Sequence, residues 1–399
     1  MINLDNKQAT EDTLLNDSAI EINSAANLKI RPQYTRRRFL TVLTSGVILA
    51  GSGLTAHAGS DVIIANGHLS VNRGLDYLRR TQETDGSWSE YPATTALAVA
   101  AFLRNGRTEI KEAAIAKGIQ YLLRAAKPTG AIFEDRDPAR ALPNYNTALA
   151  VMALSLTRNP SYKSTIQKAQ KFLEQSQLVE GAGLDIANPA YGGIGYGSQP
   201  DRPDLSNLAT ALQALKETGV PSNAPVFQKA ILFLQRVQNR QDSNDQAWAK
   251  TGPNDGGFVY DSTGNSKAKG QTEHASMGAM TYDGLESYIY CGVSKNDPRA
   301  RAAWDWIRGH YTVAEHPGEG DTSLYYYYHA MAKTLNVYGQ KSIKDIKGTT
   351  HDWSHDLAGR LISLQHPDGS WFNTNARYWE DQPGLVTSYS LIAISYCLM

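Results

Sequence analysis

Several titratable side chains lie inside otherwise apolar stretches of the sequence. Asp321 is followed by Tyr325, Tyr328 and His329 at spacings of four, three and one residues, so the four side chains share roughly one face of a helix. Asp283 interrupts a second apolar stretch, where a buried acid needs a partner or a raised pKa. Because such groups can donate or accept a proton, we predict Asp283, Asp321 and His329 as catalytic residues.

The same residues also have structural interpretations. An Asp directly before an apolar helical stretch usually caps the helix N-terminus, and we favour that role for Asp204 and Asp321. A histidine on an apolar helix is more often a hydrogen-bonded core residue than a catalyst, which applies to His329. Four consecutive tyrosines begin at Tyr325 and cannot all face inward, so we expect at least two of them to pack outward.

Two copies of one motif indicate how these residues are positioned. The segments Gln82–Trp88 and Gln365–Trp371 share the pattern Gln-x-x-x-Gly-Ser-Trp. Each pattern predicts the end of a helix, a turn that contains glycine, and a Trp that fills the gap to a second helix. Repetition at both ends of the chain predicts a repeat architecture.

Aligning the aromatic-Leu element that precedes these turns gives six units. Each unit has an amphipathic first segment, a Gly-bearing loop and a second segment that is apolar nearly all round, as a double ring of helices requires. We therefore predict an all-α fold, an (α/α)6 toroid of six helix hairpins that spans residues 59–399. The first segments begin near Gly74, Gly118, Ala169, Ala230, Ala303 and Leu357, and the second segments are Thr94–Leu103, Thr147–Leu156, Leu208–Leu215, Ala275–Tyr290, Leu324–Leu335 and Val386–Leu398.

In a toroid the residues that begin the inner helices meet at one end of the central cavity. We expect that end to be lined by polar and aromatic side chains, and we predict neither a metal site nor a cofactor. The predicted cavity-lining or ligand-binding residues are Asn146, Asn207, His274, Tyr282, Tyr325, Tyr328 and Tyr389.

The N-terminal residues predict export. Residues 1–34 are polar and aperiodic, and we interpret them as a disordered leader. Residues 35–58 carry basic, apolar and small-residue parts in order, and Thr35–Leu40 resembles a twin-arginine signal. Cleavage after Ala58 would release the protein to the periplasm or the exterior, and an ordinary Sec signal or a retained N-terminal segment is the alternative.

The bulk composition excludes several partners. The chain of 399 residues has 39 basic and 39 acidic residues, which argues against nucleic acid and against a polybasic membrane anchor. Membrane association remains open, but not through a spanning domain. The two cysteines, Cys291 and Cys397, end apolar segments, and we expect buried thiols.

The motif at Gln82–Trp88 and Gln365–Trp371 resembles the QW repeat of squalene–hopene cyclases and related terpenoid cyclases, and Asp255–Phe258 resembles a loop of protein prenyltransferase β subunits. The resemblance covers Leu69–Met399, whose C-terminal half is similar to bacterial prenyltransferase/squalene-oxidase repeat proteins. It implies the toroid fold and a hydrophobic, isoprenoid-type ligand in the central cavity.

The catalytic residues of those families are not matched. The cyclases use an Asp-x-Asp-Asp-Thr-Ala acid, and the best counterpart, Pro143–Ala148, keeps only Thr and Ala. The prenyltransferase zinc motif Asp-x-Cys is matched by Asp321–Ser323, where Ser replaces Cys, and Gln382–Tyr389 offers no His. Both sites are therefore incomplete.

Three hypotheses follow, and the sequence does not establish that the protein is an enzyme. The first is an isoprenoid-handling isomerase, cyclase or transferase. The second is a carbohydrate lyase or hydrolase, since α/α barrels also host such enzymes and a glycan suits a Tyr and His stripe. The third is a non-catalytic scaffold or ligand-binding protein. A dry aromatic cavity favours the first, an open polar groove the second, and a cavity filled by side chains the third.

Overall fold

The computed structural model describes residues 54–399 except 110, 138–140, 198–201 and 267–271. The predicted leader and all but the end of the predicted export signal lie outside this part of the chain. The first described helix includes Ala58, the predicted cleavage point. None of the described helices is long and apolar enough to cross a membrane.

Twelve α-helices account for the described part of the chain, with one two-stranded antiparallel sheet and four short 3-10 turns between them. The sheet pairs β1 (Ile343–Lys344) with β2 (Thr350–His351). The helices are α1 (Leu54–Thr81), α2 (Pro92–Arg104), α3 (Ala113–Ala125), α4 (Pro143–Leu156), α5 (Lys163–Gln175), α6 (Leu205–Glu217), α7 (Pro225–Arg236), α8 (Gly278–Tyr290), α9 (Pro298–His310), α10 (Leu324–Tyr338), α11 (Trp353–Leu364) and α12 (Pro383–Cys397).

The even-numbered helices form a closed inner ring. Each one, from α2 to α12, packs against the next, and α12 packs against α2. The odd-numbered helices pack around this ring, with α11 also contacting α1. The predicted (α/α)6 toroid is confirmed.

The distribution of apolar side chains explains which helices form the inner ring. Nearly every residue of α12 is buried, whereas α5 buries only Ala169 and Leu173. A helix that is apolar all round must be covered on all sides, so it takes the inner position. Five helices begin with Pro, whose fixed φ suits the first helical position: α2, α4, α7, α9 and α12.

The repeated Gln and Trp motif ties each helix pair together. The Gln82 side-chain amide donates to the carbonyls of Gly86 and Ala114, so it joins its own turn to the next outer helix. Trp88 is 1% exposed, and its indole N–H donates to the Leu78 carbonyl at 2.9 Å. The motif thus satisfies backbone carbonyls that end α1 and fills the gap beside α2.

The second copy closes the ring. The Gln365 amide donates to the carbonyls of Gly369 in its own turn and of Ser70 in α1. Gly369 has a φ of +93°, and a Cβ there would lie 2.4 Å from the Arg73 carbonyl oxygen. Only glycine fits this approach of the last turn to the first helix.

Candidate functional site

A small cavity lies on the axis of the inner ring. Its volume is about 40 Å³, which accommodates about three water molecules at roughly 10–15 Å³ each. Five of the six inner helices supply its wall, and the sixth, α8, supplies charged groups behind it. The lining residues are Ala96, Leu97, Ala100, Arg104, Tyr145, Leu149, Met152, Leu156, Thr210, Gln213, Glu217, Tyr326, His329, Lys333, Tyr389, Ile392 and Tyr396.

A buried ion cluster occupies one side of this axis. The Lys333 ammonium lies 3.1 Å from Asp283 Oδ1, 2.9 Å from Glu286 Oε2 and 3.3 Å from Gln213 Oε1. Lys333 is 3% exposed, and both carboxylates are fully buried. Lys333 thus donates a hydrogen bond to Gln213 and forms an ion pair with each of the two carboxylates.

Charge interactions within this cluster determine the protonation state of Lys333. Burial lowers the pKa of Lys333, but the carboxylates of Asp283 and Glu286 outweigh that effect and leave the pKa above its usual value. Burial raises the pKa of Glu286, and Lys333 opposes the increase. Lys333 therefore remains an ammonium at neutral pH.

Three tyrosines narrow the axis towards the N-terminal ends of the inner helices. The hydroxyls of Tyr145 and Tyr389 lie 3.0 Å apart. The Tyr326 hydroxyl donates to Asp283 Oδ2 at 2.7 Å and lies 3.0 Å from Ser206 Oγ. Both oxygens of Asp283 are therefore engaged, one by an ammonium and one by a phenol.

His329 is the cavity residue with a free hydrogen-bonding position. Its ring lies 5.1 Å from the Tyr389 ring, and within the described residues its buried Nδ1 atom has no hydrogen-bond partner. Burial, with added repulsion from Lys333 and Arg104, lowers its pKa well below the usual value. His329 is therefore neutral at pH 7 and can accept or donate one hydrogen bond in the cavity.

An ion pair, a hydrogen bond and one cation–π contact close the other end of the axis. Arg104 lies 3.3 Å from Glu217, which also accepts a hydrogen bond from the Gln213 amide. The Arg104 guanidinium stacks 4.7 Å from the centre of the Tyr396 ring.

The predicted site residues separate into groups. His329 and Tyr389 line the cavity, and Asp283 lies one contact behind it. Asp321 is exposed and accepts a hydrogen bond from the Asn375 amide, outside the barrel axis. Asp321 does not cap α10, which begins after Ser323, and the Ser323 side chain makes no capping hydrogen bond.

The two asparagines that were predicted to line the cavity form hydrogen bonds at the starts of inner helices. Asn146 is fully buried, accepts the Ala93 N–H and donates to the Ala141 carbonyl. The Asn207 amide donates to Asp204, whose predicted role as the N-cap of α6 is confirmed. These residues stabilise the starts of inner helices and are absent from the cavity wall.

The other predicted lining residues also lie outside the cavity wall. His274 stacks on Trp248 in the loop before α8. Tyr282 packs edge to face with Tyr327. Tyr328 donates to a loop carbonyl at 2.7 Å, and Tyr327 donates similarly, so two of the four consecutive tyrosines pack outward as expected. Tyr325 packs edge to face with Tyr328.

Sequence reasoning missed the central residues Lys333 and Glu286. Lys333 is the one Lys, Arg, Asp or Glu in α10 and follows His329 by four residues, one helical turn. Glu286 follows Asp283 by three residues in the mostly buried helix α8. A charge in such a position needs a buried partner. That signal is readable in the sequence, but it does not name the partner.

Glu380 joins two inner helices at the N-terminal end of the barrel. It is 1% exposed, and its Oε1 accepts the backbone N–H groups of Tyr325 at 2.9 Å and Tyr326 at 2.8 Å. The Asn373 amide donates to Oε2 at 2.9 Å. Burial raises the pKa of Glu380 to about 7. A carboxylate from the loop before α12 thus caps α10, the role predicted for Asp321.

The same end of the barrel has a larger, open cleft of about 360 Å³. It lies between the loop before α2 and the loop before α4. Its lining residues are Ser89, Glu90, Tyr91, Glu134, Arg136 and Asp137. We call this feature the mouth cleft. Arg136 lies 3.5 Å from Glu90 and 3.4 Å from Glu134, so it contacts carboxylates from both loops.

No group of three or more His, Cys, Asp or Glu side chains among the described residues is arranged to hold a metal ion. Cys291 and Cys397 are free thiols, and burial raises the pKa of Cys291 to about 12.

The closed double ring of helices defines an all-α (α/α)6 toroid. The apo structure of the type II terpene cyclase MstE from Scytonema matches with a TM-score of 0.50 at 13% identity, covering 84% of this chain and 98% of that chain. A variant of MstE in complex with the substrate geranylgeranyl dihydroxybenzoate matches with a TM-score of 0.51 at 13% identity, covering 84% and 97%.

A glycosidase in complex with glucose is a weaker structural match. Its TM-score is 0.44 at 12% identity, covering 83% of this chain and 96% of that chain. No protein-family model and no curated protein sequence matches the chain. At these identities the structural likeness establishes the fold, and the chemistry must be argued from the residues.

Proposed function

We propose that this protein is an exported toroid of the terpene cyclase fold that lacks alkene-protonating chemistry and whose axis admits no ligand of polyprenyl size. The observation that carries the proposal is the buried cluster of Lys333, Asp283 and Glu286 beside a cavity of only about 40 Å³. The export part rests on the arrangement of residues 35–58.

Protonation of an alkene requires a carboxylic acid that is free to release its proton, because an alkene is a very weak base. Glu217, the acid in the cavity wall, pairs with Arg104. Asp283 lies one contact behind the wall, and its two oxygens contact the Lys333 ammonium and the Tyr326 hydroxyl. A carboxylate with an ammonium and a phenolic donor acts as an acceptor. Asp283 therefore suits the role of a structural anion better than that of a proton donor.

The size of the cavity also argues against a long ligand on the axis. The Tyr145 and Tyr389 hydroxyls meet across one end, and Arg104 and Glu217 pair at the other. A ligand the size of a polyprenyl chain would have to displace at least one of these pairs. Small-molecule sites usually enclose about 300–1,000 Å³, well above the axial volume.

A second candidate function, isoprenoid binding on the axis, is favoured by the apolar part of the cavity wall. Leu97, Leu149, Met152 and Ile392 face it together with tyrosine rings that suit a hydrocarbon or a carbocation. MstE, a match in fold, is described with a geranylgeranyl substrate. A rearrangement of the tyrosines on binding would reconcile this candidate with the small cavity.

A binding experiment separates the two candidates. Calorimetric titration of farnesol should show no binding to the wild-type protein in the micromolar range. The double variant Tyr145→Ala with Tyr389→Ala removes two phenol rings from the axis and should gain at least tenfold in farnesol affinity. The control variant Tyr162→Ala removes a tyrosine from the outer surface and should bind as the wild type does.

The outcomes are unambiguous. Micromolar farnesol binding by the wild-type protein, weakened by the double variant, would overturn the proposal and support the isoprenoid candidate. Cyclised products after incubation with a polyprenyl substrate would refute the loss of protonation chemistry. Fractionation of the host, with the protein found only in the cytoplasm, would refute the export part.

A further inference from the structure

Two neighbouring aromatic side chains are exposed at the N-terminal end of the barrel. Tyr378 is 45% exposed and Trp379 is 41% exposed, although most large aromatic residues of the described chain are buried. Trp379 packs edge to face against Tyr91, with ring centres 5.8 Å apart. Tyr91 lines the mouth cleft, so the indole lies at the edge of that cleft.

The mouth cleft itself is polar and acidic. Glu90, Glu134 and Asp137 supply three carboxylates and Arg136 one guanidinium, which leaves two net negative charges. The side chains of Glu90 and Arg136 are 69% and 62% exposed, so they remain accessible to a solute. Its volume of about 360 Å³ is within the range of roughly 300–1,000 Å³ that small-molecule sites occupy.

We propose that the mouth cleft, with Trp379 at its edge, binds a glycan built from neutral or amino sugars. A pyranose ring has a flat face of C–H groups that packs on an aromatic ring, and its rim of hydroxyls needs acceptors and donors. Trp379 supplies the exposed ring. Carboxylates accept hydroxyl protons, and Arg136 donates to sugar oxygens.

The charge of the cleft selects among sugars. Two net negative charges repel the carboxylates of a uronate and attract the ammonium of an amino sugar. The cleft therefore fits a glucosamine oligomer better than a uronate oligomer. This choice argues against the uronate-lyase form of the carbohydrate hypothesis.

The inference rests on the proposed function in one respect: an axis closed to ligands leaves binding to concave surfaces such as the mouth cleft. Calorimetry and tryptophan fluorescence of the full-length protein, with three oligosaccharides of equal length, test it. The probes are a glucosamine oligomer, a neutral glucose oligomer and a galacturonate oligomer. We expect binding that decreases in that order, with no measurable binding of the galacturonate oligomer at low salt.

Substitutions in and near the mouth cleft test whether the oligosaccharides bind there. Trp379→Ala should weaken binding of both the amino and the neutral oligomer at least tenfold. Trp304→Ala removes an indole that stacks on Tyr338 at the outer ring and should leave both affinities unchanged. Glu90→Gln with Glu134→Gln should weaken the amino oligomer at least fivefold and change the neutral oligomer less than twofold.

Each outcome decides the inference. No binding of any oligomer at millimolar concentration, a preference for the galacturonate oligomer, or affinities that Trp379→Ala leaves unchanged would each overturn it. If Trp379→Ala lost its helical circular dichroism, Trp379→Leu would serve as the second variant, because it keeps an apolar side chain against Tyr91 and still removes the aromatic ring, with the same expected loss. Farnesol binding on the axis is a separate measurement, so the proposed function and this inference can fail independently.

Discussion

Replacing Glu380 by Gln should change how the stability of the protein depends on pH. Glu380 is buried, and its pKa is about 7 against an ordinary value of 4.5. Because the folded state holds the proton more tightly than the unfolded state, the stabilisation from this proton is complete below pH 4.5. It is lost as the pH rises through 7. The difference corresponds to about 3 kcal/mol, at about 1.4 kcal/mol per pKa unit.

A Gln at this position stays neutral at every pH. Its carbonyl oxygen can still accept the N–H groups of Tyr325 and Tyr326, while its amide meets the Asn373 amide less favourably. That local cost is independent of pH. The free energy of unfolding of Glu380→Gln, relative to wild type, should therefore rise by about 2.5 kcal/mol between pH 5 and pH 9, because part of the difference has already developed at pH 5.

Urea unfolding followed by circular dichroism at pH 5, 6, 7, 8 and 9 measures this difference. All other titrating groups are common to both proteins, so subtraction isolates position 380. Glu174→Gln, on the exposed face of an outer helix, is the matched control and should run parallel to wild type. If Glu380→Gln also ran parallel to wild type, the argument that burial raises this pKa would be refuted.

Two further predictions concern the axis and the ring closure. Lys333→Met leaves two buried carboxylates without a cation and should lower the free energy of unfolding, measured in urea, by about 3–5 kcal/mol. Adding Asp283→Asn and Glu286→Gln to this variant should recover at least half of the loss. No recovery would contradict the ion cluster. Gly369→Ala should lower the melting temperature at least twice as much as Gly348→Ala. Both glycines have a φ near +90°, but a Cβ at position 369 would meet a backbone oxygen, whereas a Cβ at position 348 would meet nothing within 4 Å. Equal losses would show that φ strain alone accounts for the cost.

Part of the candidate site could be predicted from its pattern. His329 was found because it is a titratable residue on an apolar helix, and Tyr389 because it lies in an inner helix. Asp321 precedes an apolar helical stretch, which predicts that it caps α10. The cap is instead Glu380, which lies in a loop more than fifty residues later. A side-chain cap can come from any part of the chain, so local sequence does not identify it.

The repeat itself was determined by the sequence. Gln82–Trp88 and Gln365–Trp371 have the same spacing, and in each copy Gln and Trp bond to carbonyls a few residues away. Local contacts of this kind, together with six segments that are apolar nearly all round, require paired helices and a closed inner layer.

Tertiary structure alone decided what the barrel axis contains. An inner helix that is apolar all round has no single stripe, so its periodicity does not say which residues face the centre. Packing of α10 between α8 and α12 turned Lys333 towards Asp283 and Glu286 of α8, about fifty residues earlier in the chain. That meeting places a buried ion cluster beside the axis, whereas the polar mouth cleft lies open at the N-terminal end of the barrel.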